Sequence, residues 1–145
     1  MKNLNVVYTF QKLSKEEIEN IQKEIDVAFP KNYVDFILMY NGGRFNETVY
    51  KLPHEDVVIC DFLPVLDSNS NRTIKDYLAL VNDEQPQINW LPFGFDPGGW
   101  VFCISLLKDK YGEVYLFRMD RVYQEAFDFI CKSFEDFING LQPEE

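Results

Sequence analysis

His54 and a few pairs of adjacent carboxylates are the side chains of this chain that could carry acid–base chemistry. His54 is the single histidine of the sequence, and imidazole titrates near neutral pH, as a general acid or base must. The carboxylate pairs are Glu16 with Glu17, Glu55 with Asp56, and Glu135 with Asp136. Adjacent carboxylates usually lie on a solvated surface, and a lone histidine beside a proline is typical of a loop. We therefore assign no catalytic residues, and a small hydrolase centred on His54 is kept as an alternative.

Residues 94–99, Gly-Phe-Asp-Pro-Gly-Gly, form the second stretch whose composition could serve a ligand. Glycine-rich loops hold phosphates when the glycines stand at a fixed spacing and a helix follows. Here the spacing differs, and the apolar residues after Gly99 predict a strand. Pro97 restricts its own φ and biases Asp96 towards an extended conformation, while Gly98 and Gly99 can adopt positive φ. The stretch predicts a tight turn between two strands and no phosphate site.

The three cysteines, Cys60, Cys103 and Cys131, are odd in number and far apart. They lack the close pairing typical of a zinc site or a disulfide framework, so buried, reduced thiols are the simpler interpretation. The sequence also lacks the common motifs for nucleotides and metals. We predict no metal and no cofactor.

Composition and charge narrow the class of partner. The chain has 145 residues, of which 46% are hydrophobic, and this predicts one domain, residues 1–145, with its own core. Fourteen Lys and Arg against 24 Asp and Glu give a net charge of −10, which disfavours direct nucleic-acid binding and favours a basic protein partner. No long apolar run predicts a membrane span, and residues 1–5 lack the apolar core of a secretory signal. We expect a cytoplasmic location and no membrane partner.

Capping residues and apolar periodicity predict four helices. Residues 14–17, Ser-Lys-Glu-Glu, have the capping-box form and open the first helix. Pro30 opens a second helix, which Asn-Gly-Gly at residues 41–43 is expected to end with a left-handed cap. Thr73 is a candidate cap for a third helix, and Ser-Phe-Glu-Asp at residues 133–136 starts the fourth.

The middle of the chain is rich in strand-forming residues. Strands are predicted at residues 49–52, 57–62, 90–95, 100–106 and 113–118. A hairpin loop at residues 108–112 joins the last two, and residues 68–71 form a polar loop. Two helices, strands with one inserted helix, and a terminal helix together predict an α+β fold with a central, mainly antiparallel sheet.

Four motifs, taken in order, resemble the SUKH superfamily. Residues 29–37 read Phe-Pro-Lys-Asn-Tyr-Val-Asp-Phe-Ile and lead into Tyr-Asn-Gly-Gly, which is similar to that family's early "Leu-Pro-x-x-Tyr-x-x-Phe-Leu … Asn-Gly-Gly". Leu-Pro-Phe-Gly with Asp96, Gly98 and Gly99 follows at residues 91–99, then Tyr-Gly-Glu-Val-Tyr at residues 111–115 and Ser-Phe-Glu-Asp-Phe-Ile at residues 133–138. The resemblance covers roughly residues 14–141. Pro97 departs from the pattern, because a small or polar residue, often glycine, is expected there.

The SUKH superfamily includes bacterial immunity proteins and the domain of fungal cell-wall-synthesis regulators. The resemblance implies a single α+β domain that binds another protein and is not an enzyme. Bacterial members typically neutralise a polymorphic toxin encoded beside them, often a nuclease, and an acidic inhibitor suits a basic nuclease. An immunity protein is therefore the leading hypothesis. A housekeeping regulatory or scaffold domain of the same fold is the alternative, and it predicts no toxin-like neighbouring gene.

Tyr40, Trp90, Asp96 and Trp100 are the candidate partner-binding residues, because aromatic side chains near turns are typical binding anchors when exposed. Burial of either tryptophan would remove it from this set. The other landmark residues are interpreted as structural, serving core packing, helix ends and turns. They are Pro30, Tyr33, Asn41, Gly42, Gly43, Pro92, Gly94, Gly98, Gly99, Gly112, Ser133 and Phe134.

Overall fold

Four helices and three antiparallel sheets make up the described part of the chain. The computed structural model describes residues 1–69 and 71–145, so Ser70 of the predicted polar loop lies outside the described residues. The helices are α1 (Lys15–Ile25), α2 (Lys31–Met39), α3 (Lys75–Val81) and α4 (Phe134–Gly140). The predicted α+β class, with a helix pair, an inserted helix and a terminal helix, is confirmed.

The largest sheet has five strands, and two smaller sheets flank it. It contains, in spatial order, β5 (Asp61–Phe62), β6 (Trp90–Phe95), β7 (Val101–Ser105), β8 (Val114–Phe117) and β9 (Phe127–Cys131). The smaller sheets pair β1 (Val6–Tyr8) with β2 (Arg44–Phe45), and β3 (Glu47–Lys51) with β4 (Asp56–Val58) and β10 (Gln142–Pro143). The predicted strand at residues 57–62 is wrong as one unit, because β4 and β5 belong to different sheets. The sequence prediction missed β1, β2, β9 and β10.

Side-chain caps fix the starts of two helices as predicted. Ser14 Oγ accepts a hydrogen bond from Glu17 N, and Glu17 Oε1 accepts one from Ser14 N, at 3.1 and 3.0 Å. Ser133 caps α4 through its own hydroxyl oxygen. The predicted cap at Thr73 is wrong, because α3 follows Ile74 and has no side-chain cap hydrogen bond. Pro30 is the N-cap residue of α2, so it lies one position before the first helical turn in which the sequence predicts it.

An aromatic core fills the space between the helices and one face of the five-stranded sheet. Tyr33 and Phe134, both 1% exposed, meet edge to face with their ring centroids 5.3 Å apart. Phe36 and Phe93 pack on the same Phe134 ring, at 5.2 and 5.1 Å. Burying each such side chain stabilises the fold by about 1.5–3 kcal/mol. The structural interpretation of Tyr33 and Phe134 therefore agrees with their positions.

A second, smaller core covers the opposite face of the five-stranded sheet. Trp90 lies in it, 9% exposed, with its ring stacked on Phe127 at 3.9 Å. Cys103 and Tyr115 belong to the same cluster, which also includes Val81 of α3. Because this sheet is covered on both faces, every residue of β7 is buried. Such a strand reads as a continuous apolar run instead of an alternating one.

Pro92 and Gly94 lie where β6 slips its register against β7. The register shifts between these two residues, and both are buried. Pro92 has no N–H to give to the ladder, which suits an irregular position in a strand. A Cβ on Gly94 would stand 2.6 Å from Ile59 Cδ1 and 2.9 Å from Asp61 O, so the close approach of this segment to β6 requires a residue without a side chain. At the C-terminal end of β7, Gly112 N donates to Ser105 O at 2.8 Å and closes the hairpin.

Asn41, Gly42 and Gly43 connect the helix pair to the sheets. The predicted left-handed cap is wrong at the helix end, because Tyr40, which follows α2, is extended with φ of −138°. Asn41 instead turns into the interior, where it is 1% exposed. Gly43, with φ of 121°, pairs with Phe62 of β5, and a Cβ there would overlap the carbonyl oxygen of Tyr8. The Asn-Gly-Gly motif thus permits close contact between chain segments.

Candidate functional site

A groove of about 940 Å³ opens where the N-terminal segment, the segment after β5, α3 and the β6–β7 turn meet. Three of its lining side chains are large, apolar and exposed: Tyr8 by 39%, Leu80 by 42% and Met119 by 43%. They come from β1, from α3 and from the loop after β8. Phe62, Leu63 and Pro64, which are all buried, line it as well. Exposed apolar side chains that converge from separate segments are typical of a surface that meets another molecule.

The Asp-Pro-Gly-Gly turn forms one wall of this groove. Asp96 Oδ1 accepts hydrogen bonds from Gly98 N at 3.0 Å and from Trp100 N at 2.8 Å. The main chain closes the turn as well, since Asp96 N donates to Trp100 O and Gly99 N donates to Asp96 O. Pro97 and Gly98 are exposed at the tip. One carboxylate oxygen of Asp96 therefore organises the turn that joins two central strands.

A polar cluster of Tyr8, Asp61 and Arg44 borders the groove. Tyr8 Oη donates to Asp61 Oδ2, and Arg44 Nε donates to Asp61 Oδ1 at 2.7 Å. Partial burial and the bond to Asp61 raise the pKa of Tyr8 to about 12. The Arg44 guanidinium lies 5.8 Å from the Tyr8 ring centroid and 3.3 Å from Cys60 Sγ. The charges of Asp61 and Arg44 thus balance each other inside the cluster.

Of the four candidate partner-binding residues, Asp96 lines the groove and the other three do not. Trp90 is buried in the second core, which is incompatible with an exposed anchor, so the prediction of partner contact through it is wrong. Tyr40 is half-buried against Phe45, with ring centroids 5.1 Å apart. Trp100 is half-buried beneath the guanidinium of Arg118, which lies 5.0 Å from its ring. Partner contact through Tyr40 or Trp100 stays a prediction.

His54 is exposed in the loop between β3 and β4. Among the described residues, no hydrogen bond or ion pair joins its imidazole to another side chain. The adjacent Glu55 is instead held by Arg118 Nη2 at 2.8 Å. The geometry therefore gives no support to a hydrolase centred on His54.

The three cysteines are free thiols. Cys103 and Cys131 are buried, as expected, and burial raises the pKa of the Cys131 thiol to about 11. Cys60 is partly exposed, so the expectation of a buried thiol is wrong there. Within residues 1–69 and 71–145, no group of three or more His, Cys, Asp or Glu side chains is arranged to hold a metal ion. No helix in the same part of the chain is long and apolar enough to cross a membrane.

Comparison with known families decides the relationship that the motifs suggested. The sequence model of the SMI1 / KNR4 family (SUKH-1) matches residues 12–140. The chain belongs to the SUKH-1 family. No curated protein matches it. SUKH domains are protein-interaction domains.

Most residues that make the groove of this SUKH-1 protein were missed by sequence reasoning. Tyr8 precedes the range that the family model matches, and Leu80 and Met119 lie in segments without a motif. The available signal was the position of Leu80 on α3, just outside the apolar face that includes Tyr77 and Val81. A groove built from distant segments has no contiguous signature, so the turn at residues 96–99 was its detectable part.

Proposed function

We propose that this SUKH-1 protein is an immunity protein that binds a cognate toxin domain, encoded beside it, and neutralises that toxin. The groove carries the proposal. Tyr8, Leu80 and Met119 present apolar surface to solvent from three separate elements, and such surfaces bind partners by excluding water. Membership of a family of protein-interaction domains supports the same interpretation.

The charge of the chain supports a basic partner. A net charge of −10 attracts cationic domains over a distance and accelerates their association at moderate salt. Toxin domains that cleave nucleic acid carry basic surfaces, because they must bind phosphate backbones. An acidic inhibitor that covers such a surface blocks the substrate site without any chemistry of its own. A cytoplasmic location, where a toxin would meet nucleic acid, is part of this proposal.

Co-expression with the neighbouring toxin domain tests the proposal. We expect wild-type protein to restore growth of cells that express the toxin, and the two purified proteins to elute as one complex at about physiological salt. Met119→Ala removes a groove side chain, and Met39→Ala is its matched control, since Met39 is 53% exposed on α2 and lies outside the groove. Unrestored growth together with no complex at moderate salt would contradict the proposal for that pair.

A regulatory scaffold is the alternative, because the family includes regulatory as well as immunity proteins. It would use the same kind of surface on a housekeeping partner. The neighbouring genes discriminate between the two functions. A toxin-like neighbour supports the immunity function, and its absence, with a growth defect on deletion of this gene alone, supports the scaffold.

A further inference from the structure

We infer that the groove binds a protein segment with a Lys or Arg side chain next to large apolar side chains, and that Asp96 supplies the counter-charge. The inference rests on the proposed function, because it specifies the surface of the toxin domain that this site would bind. It predicts a short basic–apolar segment as the core of the interface.

Main-chain hydrogen bonds occupy one of the two oxygens of the Asp96 carboxylate. Its Oδ1 atom accepts both main-chain hydrogen bonds of the turn, from Gly98 N and Trp100 N. Among residues 1–69 and 71–145, no donor or cation contacts its Oδ2 atom. The main chain thus fixes one oxygen of this partly exposed carboxylate, and the other is free to accept a strong hydrogen bond from a charged donor.

The charge of the neighbouring carboxylate, Asp61, is already balanced. Asp61 is paired with Arg44 at 2.7 Å and also accepts from Tyr8. Arg72, which also lines the groove, donates to the uncharged hydroxyl of Tyr77 at 3.1 Å, and this bond does not balance its charge. Arg72 makes no ion pair with Asp96 among the described residues. Asp96 is thus the lining carboxylate without a cation, in a chain of net charge −10, and a second anion would be repelled there.

Exposed apolar side chains form the walls of the groove. Leu80 and Met119 flank the groove with the Tyr8 ring, and each has more than a third of its surface exposed. The volume of about 940 Å³ lies near the top of the range of ligand pockets, about 300–1,000 Å³, so it accepts several side chains and not one ion. A Cβ on Gly99 would meet nothing within 4 Å, which leaves room for a partner main chain at the turn.

Peptide selection tests the inference without knowledge of the partner. A phage-displayed library of random dodecapeptides is panned on the immobilised wild-type protein, and an enriched peptide is synthesised with a fluorescent label. We expect enriched sequences to place Lys or Arg beside Leu, Met or an aromatic residue. Enrichment of sequences without a basic residue, or no enrichment at all, would overturn the inference.

Asp96→Asn isolates the charge. Asparagine keeps the Oδ1 acceptor for Gly98 N and Trp100 N and replaces the unpaired oxygen with an amide. We expect the peptide Kd to rise tenfold or more. Asp109→Asn is the matched control, because it removes the same charge from an exposed residue in the loop at the opposite end of β7. We expect it to change the peptide Kd less than twofold. Equal Kd values for wild type and Asp96→Asn would refute the role of Asp96.

A change in the peptide distinguishes loss of the charge pair from damage to the turn in Asp96→Asn. Replacing its Lys or Arg with a neutral isostere, such as citrulline for arginine, should weaken binding to wild type about tenfold and binding to Asp96→Asn much less. Loss of equal size with both proteins would show that the cation lies elsewhere, against the inference.

The toxin assay separates the two proposals. Protection by wild type and equal protection by Asp96→Asn, with equal affinity for the toxin, would refute this inference and leave the proposed function standing. Failure of wild type to protect, with peptides that behave as expected, would refute the proposed function and support the chemistry of the groove.

Discussion

Replacing Asn41 by Asp should destabilise the protein strongly and should do so more at high pH than at low pH. The amide of Asn41 is 1% exposed and makes three hydrogen bonds to distant main-chain groups. Its Nδ2 donates to Gln11 O at 2.9 Å and to Leu66 O at 2.8 Å, and its Oδ1 accepts from Val65 N at 2.8 Å. Aspartate has nearly the same shape but offers an oxygen to both carbonyls. The substitution therefore keeps the packing and removes two donors.

The magnitude follows from the protonation of the new carboxyl. When it is protonated, it restores one of the two lost donations, and the remaining unpaired carbonyl costs about 1–3 kcal/mol. Burial and the facing carbonyl oxygens raise its pKa above that of the unfolded chain. The folded state then binds the proton more tightly, so stability falls as pH rises between the two pKa values, by up to about 1.4 kcal/mol per pH unit. Between pH 5.5 and 7.5 we expect an additional loss of about 2 kcal/mol.

Urea unfolding at both pH values, followed by tryptophan fluorescence, measures the effect. Asn20→Asp is the matched control, since Asn20 is exposed on α1 and gains the same charge without losing a buried bond. Its cost should stay within about 0.5 kcal/mol at both pH values. A penalty for Asn41→Asp below 1 kcal/mol, or one that does not change between pH 5.5 and 7.5, would refute the idea that this side chain joins the three segments.

Three further outcomes are expected. Gly43→Ala should cost more than about 2 kcal/mol in urea unfolding, because the new methyl group meets the carbonyl of Tyr8 at a φ of 121°, and wild-type stability would contradict this. Burial raises the pKa of Tyr50 to about 12 from 10.0, so the free energy of unfolding should fall as pH rises through this window, and Tyr50→Phe should flatten the fall. Ser133→Ala should cost about 1 kcal/mol through loss of the bond from Asp136 N, and Ser133→Asp should recover most of it.

Local chemistry made several elements predictable. The capping box at Ser14 uses groups three residues apart, so its pattern is visible in the sequence and its geometry followed. The turn at residues 96–99 was equally predictable, since proline and glycine determine main-chain conformation at their own positions. The strand β9, Phe-Asp-Phe-Ile-Cys, has the aromatic and β-branched residues typical of a strand, although the sequence prediction does not include it. The two- and three-residue strands are shorter than any period that a pattern can establish.

The remaining features depend on contacts between distant segments. Asn41 looked like a helix stop because its type suits one, yet its partners Gln11 and Leu66 are 30 and 25 positions away. Trp90 looked like an exposed anchor because a strand covered on both faces shows no alternation that would reveal its burial. The groove also depends on distant segments, since Tyr8 and Met119 come to line one surface only in the folded chain.

The double covering of the five-stranded sheet limits where this protein can diversify. Both broad faces are occupied by its own side chains, so change there disturbs packing and costs stability. The loops and strand ends at the rim make fewer packing contacts, and substitutions there are usually close to neutral for folding. Descendants of one ancestral chain can therefore exchange rim residues, and with them the partners they recognise, while the interior is inherited unchanged.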